Sequence, residues 1–487
     1  MIAFTAAEIA DITNGRLDAD PGITPLTVVT DSREAVPGSL YVAKPGEHAD
    51  GHDFIAQAFA AGAVLALVER ETDGPDGTRF PAVVVPDAVL AMGALAAEAV
   101  RRIRTARAGK GQELTVVGIT GSAGKTTTKD LLAGLFAAHG KTVAPKGSYN
   151  GEVGVPLTVF QADAGTRYLV IEMGATGIGH IRYLADMVKP DIGVVLAVGT
   201  AHAGEFGGVE NIALAKGEMV EGLSAGGTAI INLDDERVAA MRSRTSATVL
   251  GFSAEGRGEA AVQALHADTN SQGNPEFDLQ LPGDGPHHVS SKLIGAHHTG
   301  NLLAAAAAAF AAGLTGADIA AGLSSQAPAS RWRMERTERP DGVTIINDAY
   351  NANPESMRAA LRTLADLGRG RRTWAVLGAM LELGEDSIRE HTAVGTQVVR
   401  LNISRLVVVG REARPLYVSA VQEGSWGDEC IFAETADEAY DILSDGLEPG
   451  DLVLFKSSNS VGLRHLGDRI ALPPQTPQHA DERSTLL

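Results

Sequence analysis

The sequence predicts an α/β protein of three modules: a smaller N-terminal α/β module, a central doubly wound parallel sheet with a phosphate-binding loop, and a C-terminal Rossmann-like α/β module. Three observations lead there. Its 487 residues exceed what one core holds, at roughly 100 to 200 residues per domain. Strand-like runs alternate with helical stretches twice along the chain, the pattern of parallel sheets. The segment GITGSAGKTTT (118–128) lies between a buried strand and a helix, where a phosphate loop must lie.

The first module is placed at 1–110. From 26 to 100 short β-like runs alternate with one convincing helix over 54–61. A basic, turn-poor helix follows, ending in RRIRTARAGKGQ, and 104–112 reads as a linker. The middle module, 111–328, has strands at 114–120, 168–174 and 192–199 and a helix at 125–138. Residues 253–290 turn rich in Gly, Asp, Asn and Pro, which predicts an antiparallel appendage or surface excursion before an alanine-rich helix following Asn301. A break at SSQAPASRWR (324–333) opens the third module, 329–473. Its strands are expected at 343–347, 373–378, 405–410 and 451–455. Asn353, Pro354 and Glu355 set a cap, a first-turn proline and an N-terminal acid in series, predicting a helix over 354–365. Residues 474–487 read as a flexible tail.

Composition narrows the function. Hydrophobic residues make up 44% and charged residues 21%, ordinary for a globular protein. Lys and Arg number 41 against 60 Asp and Glu, and the net charge of −19 disfavours a nucleic-acid or anionic-membrane scaffold. The single Cys430 permits neither an internal disulfide nor a cysteine zinc cluster, which fits a reducing compartment. The N-terminal stretch has Glu8 and Asp11 where a signal peptide needs an apolar run, and the longest uncharged apolar stretch, 302–314, is short for a spanning helix. A cytoplasmic protein is expected.

In the phosphate loop, Gly121, Ser122, Ala123 and Gly124 let backbone N–H groups turn toward an anion. Lys125 reaches the outer phosphates, Thr126 can bind magnesium, and Thr127 continues the helix N-terminus. Ile119 stands where the general motif has its first glycine, so the compact T-G-x-x-G-K-T form applies. The plain alternative is a glycine turn before an ordinary helix. Glu172 and His202 follow two further strands, and parallel strands share one carboxyl edge, so both are expected near the loop as metal ligands. Glu172 suits magnesium; His202 also suits manganese or acts through water. Alone, the first would be a cap and the second a satisfied histidine. Lys216 lies among alanines and apolar residues in a helical run; burial would favour the neutral amine that takes up carbon dioxide to form a carbamate, the alternative being a solvated helix lysine.

The series TGSAGKTTTKD, SYNGEVGVPLT, VIEMGATGIGHI, VGTAHAGEFGG, IALAKGE, INLDDE and SRWRMER…INDAYNANPES, in this order over nearly the whole chain, resembles the Mur ligase family. NDAYNANPES, LGAMLELGEDSIREH and DSREAVPGSLYVAKPGEHADGHDF resemble the members that add D-alanyl-D-alanine to UDP-N-acetylmuramoyl-tripeptide. The resemblance implies an ATP-dependent ligase of cell-wall precursor synthesis, working through an acyl phosphate and releasing ADP and phosphate. It implies that Thr126 and Glu172 bind one magnesium, and that His202 and a carbamylated Lys216 help bind a second. Lys125, Lys216 and His202 would serve the chemistry, Asn301 would meet the adenine, and Arg331 and Asp348 would hold ribose and phosphates. Ser32 and Arg33 would contact the uridine diphosphate, Asn150 would approach substrate or phosphate, and the 379–383 and 456–460 loops would form the dipeptide pocket. Ser148, Gly151, His298 and Ser457 depart from the family's usual residues. The alternatives are the related ligase adding a diamino acid to the dipeptide precursor, folylpolyglutamate synthase, and a nucleotide-dependent switch without ligase chemistry. A monomer without nucleic-acid or integral membrane association is expected.

Overall fold

The computed structural model describes residues 1–46, 49–74, 77–200, 203–424 and 429–472. The expected tail lies outside the described residues, as does His202. Three sheets occur in chain order. The first has five strands, running Arg16–Asp18, Ala82–Val84, Ala63–Val68, Ser39–Val42 and Thr27–Val29 across the sheet; only the Arg16–Asp18 edge is antiparallel. The middle sheet has nine, and the loop-bearing strand Thr115–Thr120 sits inside it between Ile192–Val195 and Tyr168–Glu172, parallel to both. The third has six, parallel except for the Glu335–Glu338 edge strand. The central strands are buried on both faces, as Val116, Val117, Ile119, Leu169, Val170 and Ile171 show, because helices cover the sheet on each side.

Three expectations need correction. Residues 104–112 are not simply a linker, since the helix Ala88–Ala108 runs through their first half. Its basic end reads as linker in sequence. In the fold Arg104 donates to both Asp191 oxygens at 3.1 and 3.0 Å and to the Lys189 carbonyl at 2.7 Å, and Arg107 donates to the Glu113 carbonyl at 2.8 Å. These arginines dock the first module's long helix on the second. Leu95, Ala99 and Ile103 accordingly share one apolar cluster with Val116, Leu169 and Leu184.

Residues 253–290 are antiparallel but no surface excursion. Val262–Thr269, Pro275–Leu281 and Asp284–Ser290 extend the middle sheet, with Val262–Thr269 still parallel to its neighbour and the last two antiparallel. Phe277, Leu279 and Leu281 alternate inward and share a core with the alanine-rich helix His298–Ala311. The polar, glycine-rich composition belongs to the turns, which masked the short alternation. That helix also begins earlier than expected, so Asn301 lies in its first turn. The helix Ala6–Thr13 was not anticipated, although Thr5 and Glu8 form a reciprocal capping box at its start.

Candidate active site

The middle sheet delivers the phosphate loop because Thr115–Thr120 ends where the helix Lys125–Ala137 begins. Gly124 has φ +82°, and a Cβ there would lie 2.2 Å from Asn301 Oδ1, so only glycine lets the asparagine pack against the loop. Lys125 folds back, its Nζ donating to the Gly121 carbonyl at 2.7 Å. Thr126 Oγ1 donates to Glu172 Oε2 at 3.0 Å, and Asn150 Nδ2 donates to the other carboxylate oxygen at 2.8 Å. Ser148 Oγ lies 3.1 Å from Thr126 Oγ1, so this departure from the family pattern still supplies a polar neighbour. Glu172 is buried, closing the far side of the loop with a carboxylate.

Lys216 sits on the helix Val209–Glu221 and is 4% exposed. Among the described residues it makes no ion pair. Burial, followed by the positive charge of Lys125, pushes its pKa well below the ordinary lysine value. Burial also lowers the pKa of Lys125; Glu172 opposes this and Arg333 adds to it. Lys125, Thr126, Asn150, Glu172 and Lys216 face one cavity of about 730 Å³, with Arg333, Tyr350, Asn353, Glu382 and Asn459 of the third module on its opposite side.

Hydrogen bonds join the two modules. Asn353 Nδ2 donates to the Ser122 carbonyl at 3.2 Å, and Ser330 donates to Asp130 Oδ2 at 2.6 Å. The Thr200 N–H and hydroxyl donate to Glu355 Oε1 at 3.1 and 3.0 Å. Asn301 lies beside the loop, 3.1 Å from His298 Nδ1, and burial drives the His298 imidazole far below its usual pKa, leaving it neutral.

Several expected residues lie elsewhere. Arg331 pairs with Asp468 at 3.0 Å and Glu335 at 3.4 Å, stacking on Trp332. It borders a second cavity of about 400 Å³ beside the loop, which Thr126, Lys129, Arg333 and Tyr350 also line. The arginine that reaches the loop is Arg333, whose Nη2 donates to Thr126 Oγ1 at 3.4 Å while its guanidinium lies over the Tyr350 ring. Sequence reasoning missed it. Trp332 and Met334, which flank it, both adopt left-handed backbone, at φ 58° and 52°.

Asp348 is buried but lines neither cavity. It accepts from Lys456 Nζ at 2.5 Å and from the Met334 N–H at 3.1 Å, so it braces the turn carrying Arg333. Ser32 donates to Gln57 Oε1 at 3.0 Å and Arg33 pairs with Asp31 in the first module. The structure does not bring either into the phosphate-loop cavity.

Among the described residues no three His, Cys, Asp or Glu side chains gather as a metal cluster. The oxygen donors Thr126 and Glu172 fit a magnesium ion whose remaining ligands are phosphate and water, since that ion seldom takes an all-protein cage. The loop, the carboxylate and the buried lysine together can bind a nucleoside triphosphate and handle the charge of phosphoryl transfer.

Comparison with known proteins bears on the identity. Residues 119–309 match the Mur ligase middle domain, 332–459 the Mur ligase glutamate ligase domain, and 27–100 the catalytic domain of the Mur ligase family. The UDP-N-acetylmuramoyl-tripeptide–D-alanyl-D-alanine ligase of Mycobacterium tuberculosis (strain ATCC 25618 / H37Rv) is 42% identical over 503 residues, covering 96% of this chain and 98% of the relative. This chain belongs to the Mur ligase family. The Mur ligase of the same description from Escherichia coli (strain K12) is 35% identical over 85% of this chain and 88% of its own. Among solved structures, MurF from Acinetobacter baumannii superposes with a TM-score of 0.85 at 30% identity, covering 96% of this chain and 99% of its own. The Thermotoga maritima MurF ligase in complex with ADP gives 0.76 at 27%, over 91% and 97%.

Proposed function

We propose that this chain is an ATP-dependent ligase that joins D-alanyl-D-alanine to UDP-N-acetylmuramoyl-tripeptide in peptidoglycan precursor synthesis. The observation that carries the reading is end-to-end likeness to ligases of that description, third module included, at 42% identity. The geometry supports it with a phosphate loop, a carboxylate and a buried amine on one wall and a second module on the other.

The donor's terminal carboxylate is a poor electrophile until one oxygen becomes a leaving group. It attacks the γ-phosphorus of ATP, forming an acyl phosphate and releasing ADP. The acceptor amine then attacks the acyl carbon, the C–N bond forms, and phosphate leaves. Lys125 and Arg333 neutralise charge on the transferring group, and Asn301 and the loop amides hold the nucleotide. Thr126 and Glu172 would hold magnesium, with manganese as an alternative; either ion supplies charge neutralisation during phosphoryl transfer. The neutral Lys216 amine adds to carbon dioxide, forming an N–C bond and releasing a proton; the resulting carbamate offers anionic oxygens where a lysine has none. Contact between the third module and the loop excludes water that would hydrolyse the acyl phosphate.

We assign the donor's uridine diphosphate to the first module (1–110), through Ser32 and Arg33, the nucleotide to the second (111–328), and the acceptor to the third (329–473). Asn150, hydrogen-bonded to Glu172, stands where donor meets phosphate. The proposal takes a monomer as the working unit. No helix among the described residues is long and apolar enough to cross a membrane. The need for ATP and a nucleotide-linked donor supports a cytoplasmic reaction.

The test is phosphate release from ATP with UDP-linked tripeptide and a series of acceptors. Release that requires D-alanyl-D-alanine is expected. Release with a single diamino acid and UDP-linked dipeptide would overturn the reading in favour of the related ligase, and nucleotide binding without condensation would favour a switch.

A further inference from the structure

The cavity's third-module wall holds an acid that the phosphoryl-transfer chemistry does not use. Among the described residues three acidic ones line the cavity: Glu152, Glu172 and Glu382. Glu152 and Glu172 belong to the middle module. Glu382 is the one acidic residue on the third-module wall, facing a space bordered by Lys125, Lys216 and Arg333.

Its backbone is held in place. Glu382 has φ +64°, a left-handed conformation that a non-glycine residue adopts at a cost and that tends to occur where a side chain must be aimed. Hydrogen bonds brace the residues around it. The Met380 N–H donates to His391 Nε2 at 3.0 Å, and the buried imidazole is itself fixed by donation from Nδ1 to the Ser387 carbonyl at 2.7 Å. The Leu381 N–H donates to Ser458 Oγ at 2.9 Å, and the Ser458 N–H donates to the Ala379 carbonyl at 2.9 Å. Met380 and Leu383 are buried on either side, while Glu382 is exposed to the cavity. Beyond it the loop touches the middle module, where a Cβ on Gly204 would lie 2.7 Å from the Gly384 nitrogen.

We infer that Glu382 is the carboxylate that receives the ammonium group of the incoming acceptor and takes up a proton from it as the peptide bond forms. This rests on the ligase reading above. An α-amino group titrates near pH 8, so at neutral pH the acceptor arrives mostly as a cation. It must enter a cavity whose other wall is cationic to suit phosphate. A carboxylate beside its path offsets that repulsion and fixes the nitrogen. The protons balance: the ammonium gives one to Glu382, the freed lone pair attacks the acyl carbon, and the C–O bond to phosphate breaks with its electron pair on the leaving oxygen. The second N–H proton leaves with the phosphate, and Glu382 returns its own to solvent.

Three variants and one alternative nucleophile test this. Glu382→Gln removes the charge, and Glu382→Gly removes the side chain while suiting the left-handed backbone, so loss of folding does not confound it. Glu382→Asp keeps the charge. Both neutral variants should raise KM for D-alanyl-D-alanine by about 30-fold or more, leave KM for ATP and for the UDP-tripeptide within about twofold, and E382D should recover part of the loss. Hydroxylamine, a small neutral nucleophile, should still trap the acyl phosphate as hydroxamate in E382Q at near the wild-type rate. An unchanged KM for the dipeptide in E382Q, or a parallel loss of hydroxamate formation, would overturn the inference while wild-type condensation upholds the ligase reading. Wild-type enzyme that makes hydroxamate but no product with the dipeptide would overturn both.

Discussion

Two lysines, Lys216 and Lys456, are buried to similar depth and meet opposite surroundings. Lys456 ends the strand Leu452–Lys456, is 1% exposed, and donates to Asp348 Oδ2 at 2.5 Å and to the Asn351 carbonyl at 3.2 Å. Lys216, 4% exposed, makes no ion pair among the described residues, and the charge among them that acts on it is Lys125. Burial lowers the pKa of both, but Asp348 opposes the shift at Lys456 whereas Lys125 reinforces it at Lys216. The partnered ammonium is an element of architecture that ties the 348–351 segment to the sheet. The amine with no ion pair among the described residues is the one to which the proposed carbamate is assigned.

The largest effects come from exchanging each lysine for methionine, which keeps length and volume. Lys456→Met leaves the Asp348 charge buried without its partner and should cost about 3–5 kcal/mol, read by calorimetry or denaturant unfolding. Lys216→Met removes an amine whose pKa burial lowers, so it should leave stability unchanged or raised while kcat falls by about 10² to 10³. The pH dependence carries a definite sign. A lysine whose folded pKa is depressed destabilises below its unfolded value of about 10.4, increasingly as pH falls toward the folded pKa. The stability advantage of K216M in bicarbonate-free buffer should therefore vanish near pH 10.4 and grow on acidification. A constant difference across pH would mean that Lys216 is charged in the fold.

A somewhat smaller effect sharpens the same contrast. Enzyme stripped of carbon dioxide in mildly acidic buffer should lose about tenfold in activity and regain it with bicarbonate, because the carbamate forms from the neutral amine. K216M should not respond. Equal bicarbonate dependence in both proteins would remove the carbamate from the account.

The contrast also separates what was legible in the sequence from what was not. Runs such as TVVGIT before KTTTK announce a buried strand and a helix through local periodicity and glycine chemistry, so the expected 114–120 and 125–138 lie within a residue or so of the observed elements. Glu172 was readable because the strand that carries it lies beside the loop-bearing strand. The Lys456–Asp348 pair spans 108 positions and has no local signature. Arg331 and Arg333 are equivalent in composition, and only the fold distinguishes them. The basic end of the helix Ala88–Ala108 read as linker because its partners, Asp191 and the Glu113 and Lys189 carbonyls, belong to the module on which it docks.

Glu172 offers a carboxylate counterpart to the two lysines: a buried charge already supplied with hydrogen bonds, yet placed to face an ion. Glu172→Gln preserves shape and loses charge. It should raise the magnesium concentration needed for half-maximal activity about tenfold or more, with chelation abolishing activity in both proteins. An unchanged magnesium requirement would assign Glu172 to supporting Thr126 and Asn150 alone.

The smallest expected effect lies at the seam between modules. Glu355, in the first turn of the helix Pro354–Leu367, accepts from both the Thr200 N–H and its hydroxyl, while its other oxygen, Oε2, is buried with no hydrogen-bond partner. One contact thus spans the middle and third modules. Thr200→Val removes the hydroxyl and keeps the backbone donor, so the loss is a single hydrogen bond, worth about 0.5–1.5 kcal/mol. That weakens the contact of the third module with the middle module by about two- to tenfold and should appear in KM for ATP and the acceptor together, since both are proposed to bind between those modules. The melting transition of each module should not move, because the bond lies between cores rather than within one. A change in KM for the acceptor alone would place Thr200 in the acceptor's own pocket and remove it from the seam.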